Sequence, residues 1–266
     1  MRRLALLLAA SALVAGCTVS TDNGGYSCVD ADRTMTIEWP SFLLANGAQT
    51  GCRDAGVAYV DIYMNDQRVQ GPVSGGWNCS DGGATITYVP AGTHLVTVEG
   101  IASDGSTILL RDERNVTPYD CGDTRVGVQP AEGTFDLAYS FTPTNVCTAG
   151  SYMFFSVYDA IAGVVAAQVD ETSPNPALYA CGDPNGIVFT LPAGAFTLTR
   201  TEEAVFSGGA WVPTAANCSA TNFNVTPAAI STLSVALADS ASYCPARTAA
   251  PPPARRAPKG PATTLP

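Results

Sequence analysis

The chain contains a single histidine, His94, and this limits the chemistry that it can perform. Metal sites that need two histidines are excluded, and a Ser/His or Cys/His nucleophile would have to be built on this one residue. In the predicted strand that it opens, His94 shares one face with Val96 and Val98, and its counterpart in the second half of the chain is Phe196. We therefore interpret His94 as a buried filler at a strand end and predict no catalytic residue.

Acidic pairs are the second feature that could do chemistry. Paired carboxylates bind calcium or serve as the acid and base of a glycosidase, so a carboxylate-dependent hydrolase is the enzyme alternative. No pair shows the Asp-x-Asp-x-Asp-Gly pattern of a calcium loop, and we interpret the pairs as solvated loop charges. We accordingly expect no metal and no cofactor. The pairs are Asp30/Asp32, Asp112/Glu113, Asp120/Asp123, Asp170/Glu171 and Glu202/Glu203.

Aromatic rows are the third feature. If Ala58, Val60 and Ile62 point into a core, the residues between them face outward. Aromatic rings beside polar groups stack on sugar rings, which makes carbohydrate or cell-wall binding an alternative function. The same rows would arise if this face packs on another sheet or on a neighbouring domain. The predicted ligand face consists of Tyr59, Asp61 and Tyr63 in the first half of the chain and Phe154, Ser156 and Tyr158 in the second.

The overall composition restricts both partner and fold. The 266-residue chain has 13 Lys plus Arg against 23 Asp plus Glu, and Lys259 is its only lysine. This balance lacks the cationic surface that duplex nucleic acids require, so we exclude nucleic acid as a partner. A hydrophobic content of 46% can bury a core, while 25 Gly and 19 Pro supply many turns. The composition therefore favours many short strands over long helices.

The first residues of the chain are typical of an export signal. Arg2 and Arg3 precede an apolar run, Leu4–Ala15, which has the length of a signal-peptide core and is too short to span a bilayer. Residues 13–17, Leu-Val-Ala-Gly-Cys, resemble the bacterial lipobox. The resemblance implies cleavage before Cys17 and attachment of several acyl chains to that residue, which together give a stable membrane anchor.

The same resemblance implies a location in the bacterial cell envelope. Thr18 follows Cys17, whereas an Asp at this position retains enterobacterial lipoproteins in the inner membrane. We therefore expect the outer membrane, at its periplasmic face or at the cell surface. No later apolar stretch approaches the ~20 residues of a spanning helix, so the remainder of the chain is expected to be soluble. The basic tail either contacts anionic lipid or polysaccharide or serves only as a solubilising disordered end.

The chain contains an internal repeat. Residues 77–98 match residues 179–199, and both the cysteine and the Pro-Ala-Gly turn keep the same separation in the two copies. The number of residues that separates matching positions of the two copies differs slightly from one match to the next. Loop insertions in a duplicated domain produce such differences, so we predict a tandem duplication. The other matches align Cys121, Thr124 and Pro130 with Cys218, Thr221 and Pro227, and Cys52 and strand 57–63 with Cys147 and strand 152–158.

Each copy is predicted to be antiparallel β. Residues 35–39 and 135–139 alternate apolar with polar or small side chains, which is the period of half-buried strands. Roughly five to seven such strands per copy is the size of an immunoglobulin-like sandwich. The stretches VPAGTHLVTVEG at 89–100 and LPAGAFTLT at 191–199 resemble the turn and strand of transthyretin-like and carboxypeptidase-regulatory-like modules. With the lipobox, the chain resembles tandem β-sandwich surface lipoproteins of myxobacteria.

We therefore predict an all-β fold with two tandem immunoglobulin-like antiparallel β-sandwich domains and disulfides. A short junction near residues 129–133 indicates two domains in direct contact rather than two domains separated by a flexible linker. The last segment is rich in Pro and cationic, whereas the rest of the mature chain is strongly acidic. The predicted divisions are a signal peptide at 1–16, the lipidated Cys17 with a tether at 17–27, domains at 28–131 and 132–245, and a disordered tail at 246–266.

The remaining cysteines divide evenly between the two copies. An even number in an exported chain favours disulfides, and no two lie close enough for a Cys-x-x-Cys zinc motif. The repeat favours pairs that keep their place in both copies, and the leftover cysteines form the other two pairs. The predicted pairs are Cys52–Cys79 and Cys147–Cys181 from the repeat, Cys28–Cys121 before strands expected to run parallel, and Cys218–Cys244 on either side of a closing hairpin.

These observations favour a non-enzymatic, lipid-anchored protein that serves as a structural or interaction module. Its expected partners are the membrane, reached through Cys17, and either an envelope polysaccharide or another envelope protein. Binding of carbohydrate or cell wall through the predicted ligand face is the alternative function.

Overall fold

The chain folds into strands, as its composition and alternating pattern predict. Helical structure is sparse among the described residues, where one turn of 3-10 helix spans Cys79–Asp81 and Tyr179 also has the 3-10 conformation. None of the helical structure in this part of the chain is long and apolar enough to cross a membrane. The predictions for the signal peptide, Cys17, Cys28 and the tail lie outside the described residues. The computed structural model describes residues 33–73, 76–143, 146–171 and 179–244.

The strands form two groups, one in each copy of the repeat. The N-terminal unit, residues 33–128, contains β1 (Arg33–Glu38), β2 (Phe42–Leu43), β3 (Gln49–Thr50), β4 (Tyr59–Met64), β5 (Gln67–Arg68), β6 (Trp77–Asn78), β7 (Gly83–Thr87), β8 (His94–Ile101), β9 (Ile108–Val116) and β10 (Gly122–Gly127). The C-terminal unit, residues 132–244, contains β11 (Glu132–Thr142), β12 (Ser151–Asp159), β13 (Val164–Val169), β14 (Ile187–Pro192), β15 (Gly194–Ser207), β16 (Ala210–Asn217), β17 (Thr221–Val225) and β18 (Ile230–Asp239).

Side-chain alternation explains why the first strand of each unit forms. In β1, Met35 and Ile37 are fully buried while the residues between them are half-buried. In β11, Phe135 and Leu137 occupy the corresponding inward positions. A period of two places one face of each strand in a hydrophobic core and leaves the other facing solvent. The pattern therefore predicts both the strand and the face that it buries.

The N-terminal unit has two strand layers around its own core. In one layer β1 lies between β7, to which it is antiparallel, and β10, to which it is parallel. In the other layer the order is β5-β4-β8-β9, with β6 also paired to β4. The core lies between the layers and includes Trp39, Phe42, Val60 and Val98. This arrangement is a β-sandwich.

The C-terminal unit repeats these pairings. The first strand, β11, is antiparallel to β14 and parallel to β18, as β1 is to β7 and β10. The order β13-β12-β15-β16 repeats the order β5-β4-β8-β9. A short pairing of Ala215 and Ala216 in β16 with β18 joins the two layers into one eight-stranded sheet, and β17 pairs with β15. A separate aromatic core includes Phe135, Phe155 and Phe196.

Two expectations about the end of the C-terminal unit are wrong. No closing hairpin forms, because β17 pairs with β15 while β18 pairs with β11 and β16. The match between Cys121 and Cys218 is also not structural. Thr124 lies in β10, which pairs with the first strand of its unit, whereas Thr221 lies in β17, which pairs with β15. The sequences that follow Cys121 and Cys218 are therefore similar, but they form strands that pair with different partners.

The disulfides follow the pairing predicted from the cysteine positions. Cys52 is bonded to Cys79, Cys147 to Cys181, and Cys218 to Cys244. Cys121 is also in a disulfide, but its predicted partner Cys28 lies outside the described residues. Chain-entropy arguments give each of the three described bridges roughly 3 to 4 kcal/mol of stabilisation.

Candidate functional site

The outer face of β8 carries polar side chains where it meets the C-terminal unit. Val96 and Val98 of this strand face the core of the N-terminal unit, so Thr97 and Glu99 point away from it. Glu99 lies opposite Arg111 of β9 in the strand register. Both side chains are nevertheless buried, because β9 contacts β11, β14 and β15 of the C-terminal unit. The polar outer face of one unit is thus the junction with the other.

A buried ion bridge crosses this junction. Arg111 donates from Nε and Nη2 to Oε1 of Glu99 at 3.0 and 2.8 Å, and from Nη2 to Oδ2 of Asp159 at 2.6 Å. The other oxygen of Asp159 accepts the backbone N–H groups of Ile161 and Ala162, each at 2.9 Å. The side chains of Arg111, Glu99 and Asp159 are 0%, 1% and 3% exposed. One arginine therefore joins carboxylates from the two units away from water.

The two carboxylates keep Arg111 charged. Burial alone would lower the pKa of its guanidinium, but the charges of Glu99 and Asp159 outweigh burial and hold that pKa above its usual value. Each buried ion has a desolvation penalty of several kcal/mol, which only a well-placed counter-charge offsets. The bridge is thus stable only in the relative placement of the two units that the structure shows.

Backbone bonds close the same junction. Arg111 and Ala131 exchange both of their N–H to carbonyl bonds at 2.9 Å, and Ala193 donates to the carbonyl of Ala131 at 2.9 Å. Gly194 follows with a φ of +136°, and a Cβ there would lie 2.7 Å from Cδ1 of Ile161. Only glycine fits this position without strain. The connecting segment is therefore paired to both units rather than free.

A cleft of about 480 Å³ lies beside the bridge and is walled by both units. Its floor includes Arg111, whose Nη1 is buried and has no hydrogen-bond partner among the described residues. Clefts of this size between domains are common binding sites. The polar side chains that line it are Asp112, Glu113, Arg114, Gln129, Asn224 and Thr226.

The predicted ligand face is not exposed, and this expectation is corrected. Asp61 and Phe154 are fully buried, Tyr63 and Tyr158 are 6% and 9% exposed, and Tyr59 is half-buried. The cover of Asp61 comes from its own unit, where a Cβ on Gly76 would lie 2.5 Å from the Oδ1 of Asp61. Asp61 also accepts from Arg68 at 2.6 Å. Phe154 packs edge-on against Trp211, with ring centroids 5.2 Å apart.

Sequence reasoning missed the aromatic group that does reach the surface. Trp211 contacts the rings of Tyr152, Phe154 and Phe206 at centroid distances of 5.2 to 5.4 Å, and Phe206 is 60% exposed. The group lies at the hairpin between β15 and β16. The signal for it is the glycine pair Gly208-Gly209 between two aromatic residues, since adjacent glycines between strands favour a tight hairpin turn.

Two of the predicted acidic pairs come together around one arginine. Arg200 lies 3.7 Å from Asp170, 3.3 Å from Glu171 and 3.3 Å from Glu202. Glu202 is fully buried and accepts the backbone N–H of Cys244. Burial raises the pKa of the Glu202 carboxyl, although the Cys244 N–H and Arg200 oppose the rise. These charges are therefore a partly buried network rather than solvated loop charges.

The sole histidine has a structural position, as predicted. His94 is 5% exposed at the start of β8, with its Nδ1 2.9 Å from Nδ2 of Asn65 and its Nε2 2.8 Å from the carbonyl of Pro90. Among the described residues, Cys147, Cys181 and Glu203 come close enough to suggest a metal site. The two cysteines are consumed by their disulfide, which leaves no thiolate ligand.

Comparisons with known proteins assign no family. No protein-family model matches the chain, and no curated protein matches it significantly. Among solved structures the chain is similar to GBS52, the minor pilin of Streptococcus agalactiae, at 12% identity and a TM-score of 0.34, covering 81% of this chain and 100% of that one. A leucine-rich repeat protein from Bacteroides thetaiotaomicron (12% identity, TM-score 0.27, 79% of this chain) and the Bacillus anthracis TIE protein (14%, 0.27, 78%) also match, and the chain spans only 27% and 34% of their lengths. TM-scores this low do not support an inference about function.

Proposed function

We propose that the chain is a non-enzymatic, lipid-anchored protein of the bacterial envelope whose two β-sandwich units act as one rigid interaction module. The anchor rests on Cys17 and the apolar run before it. The module rests on the buried Glu99–Arg111–Asp159 bridge, which is the observation that carries the proposal. The expected partner is an envelope polysaccharide or another envelope protein.

The bridge supports rigidity rather than loose tethering. A flexible pair of domains would expose the three charges each time the units separate, and each rejoining would desolvate them again. Here the bridge is reinforced by the two-way backbone bond between Arg111 and Ala131. The cleft beside the bridge therefore keeps its shape, and both units contribute to one continuous surface.

The candidate chemical groups support a non-enzymatic role, because the structure uses them in packing. His94 is held by Asn65 and Pro90. The carboxylate of Glu203 accepts from Thr148, Ser151 and Thr214, and thus ties neighbouring segments together.

The anchor is tested by metabolic labelling of the full chain with a fatty-acid analogue in a bacterial host that processes lipoproteins. We expect label on the wild type and on Thr18→Ala, and none on Cys17→Ala. Mass spectrometry of the mature N-terminal peptide should begin at Cys17. Unlabelled wild type, or a mature chain that begins elsewhere, would disprove lipid anchoring.

The interaction role is tested by co-sedimentation of the mature chain with envelope polysaccharide and with peptidoglycan, and by cross-linking to envelope proteins in cells. Asn224→Trp should fill the junction cleft and weaken the partner's binding at least several-fold. Ser234→Trp, at an exposed position of β18 outside the cleft, is the matched control and should bind normally. Equal binding by both variants would exclude the cleft as the interaction surface.

A further inference from the structure

The C-terminal unit has a large imbalance of charge. Residues 132–244 contain nine acidic residues and one basic residue, Arg200. The segment that follows carries Arg247, Arg255, Arg256 and Lys259 and no acidic residue. Arg111 of the other unit already pairs with Asp159, and the cation nearest to this unit along the chain is Arg247 of its own C-terminal extension.

The Arg200 cluster is where the imbalance is concentrated. Three carboxylates, of Asp170, Glu171 and Glu202, surround a single guanidinium at 3.3 to 3.7 Å. The side chain of Glu202 is 0% exposed, and its Oε2 has no hydrogen-bond partner among the described residues, although it lies 3.3 Å from Nη1 of Arg200. The Oη of Tyr243 is also buried without such a partner. Among the described residues the cluster thus holds three carboxylates and one guanidinium, and its most accessible carboxylate is that of Glu171.

The C-terminal extension begins at this cluster. Cys244 donates its backbone N–H to Oε1 of Glu202, and its disulfide to Cys218 fixes its position. Arg247 is the third residue beyond Cys244. Three extended residues span about 10 Å, and an arginine side chain adds to this reach. Arg247 can therefore reach the cluster, whereas Arg255 and Arg256 are attached by a longer and Pro-rich chain.

We propose that the segment directly after Cys244 docks in cis on the outer face of the C-terminal unit, with the guanidinium of Arg247 paired to Glu171 beside the buried Glu202. Glu171 is the most open acceptor, since 40% of its side chain is exposed. A guanidinium is suited to the place because its fork binds two carboxylates at once. Docking gives the cluster two cations for its three carboxylates.

Zero-length cross-linking tests this contact on the full chain in detergent. In Arg247→Lys, carbodiimide should join position 247 to Glu171 or Glu202, as mapped by mass spectrometry. Arg255→Lys is the matched control and should give at least a fivefold lower yield to these residues. The Arg247→Lys product should fall at high salt and with Glu171→Gln. Equal yields from both positions, products spread to distant carboxylates such as Asp183, or no product at all would overturn the proposal.

A thermal double-mutant cycle gives an independent readout. Arg247→Ala should lower the melting temperature of the C-terminal unit by about 2 °C, and Arg255→Ala should leave it unchanged. In a Glu171→Gln background Arg247→Ala should have no further effect, because the pair is already broken. An undiminished effect in that background, or an equal effect of the two alanine variants, would place Arg247 elsewhere.

Discussion

Arg111 and Arg200 each hold carboxylates on a sheet face turned away from the core of their unit, and the comparison between them is instructive. Arg111 is fully buried, binds its acceptors at 2.6 to 3.0 Å and bridges two units. Arg200 is 17% exposed, and its carboxylates lie 3.3 to 3.7 Å away within one unit. The arginine–carboxylate contacts are therefore short and buried around Arg111, and longer and partly exposed around Arg200.

The difference lies in charge balance and in what covers each site. Two carboxylates share Arg111 and keep its pKa above the usual value despite burial. Three carboxylates share Arg200, and burial raises the pKa of Glu202 among them. A second unit covers the first cluster, whereas the second lies where the described chain ends at Cys244. The Arg111 cluster joins the two units, whereas the Arg200 cluster has one more carboxylate per guanidinium and lies where we propose that the C-terminal segment docks.

The largest expected effect comes from Arg111→Ala. The variant leaves Glu99 and Asp159 buried without their counter-charge, so the free energy of unfolding should fall by about 3 to 5 kcal/mol. Denaturant unfolding followed by tryptophan fluorescence measures the loss. Arg125→Ala removes an ion pair whose arginine is 74% exposed and should change stability by less than about 0.5 kcal/mol. Similar losses in both variants would abolish the distinction that we draw between buried and open clusters.

The next largest loss of stability is expected from Gly194→Ala at the junction. Gly92→Ala, at the repeat-related glycine, is its control. Gly194→Ala would place a methyl group 2.7 Å from Ile161 and 3.1 Å from Nη1 of Arg111. Gly92, its counterpart in the N-terminal unit, also has a positive φ, of +109°, but nothing lies within 4 Å of its Cβ position. Both variants bear backbone strain, and we expect Gly194→Ala to cost about 1 to 3 kcal/mol more because of overpacking. Equal thermal destabilisation would show that the junction is not tightly packed.

Arg200→Ala should have a smaller effect than Arg111→Ala. Arg200 and two of its three carboxylates, Asp170 and Glu171, are partly open to water, so we expect a loss of about 1 to 2 kcal/mol rather than the larger cost of a fully buried site. Chemical denaturation monitored by circular dichroism is the measurement. A loss as large as that of Arg111→Ala would mean that exposure does not separate the two clusters.

The smallest expected effect is that of Glu202→Gln. Burial raises the pKa of this carboxyl in the folded state, so its contribution to stability is fully present below the unfolded pKa and is lost as the pH rises through the folded pKa. The variant cannot ionise there, and its stability relative to wild type should therefore rise with pH above about 4.3. At neutral pH it should lie within about 1 kcal/mol of wild type. Unfolding curves across this range would contradict the account if the relative stability fell.

Local patterns predicted the strands and the disulfides. Alternation placed Met35 and Phe135 in their cores, and the repeat selected partners for Cys52 and Cys147. His94 was placed correctly because its counterpart, Phe196, is apolar. These features depend on local sequence patterns or on the duplication, and the amino-acid sequence alone shows both.

The junction could not be predicted because its contacts join distant parts of the chain. Asp159 reaches Arg111 across 48 positions, and no local pattern relates the two. Period-two reasoning correctly separated Val60 and Asp61 onto opposite faces, but it could not show that Arg68 and the segment at Gly76 cover the outer face at Asp61. The loss of the expected ligand face is therefore an error about packing rather than about strand geometry.

Differential scanning calorimetry of the full chain tests most directly the claim that the Arg111 bridge makes the two units one body. We predict that wild type unfolds in a single transition whose calorimetric and van't Hoff enthalpies agree, because neither unit can leave the buried charges behind. Arg111→Ala should split this into two transitions. Two transitions in wild type, or a single one in Arg111→Ala, would contradict the account.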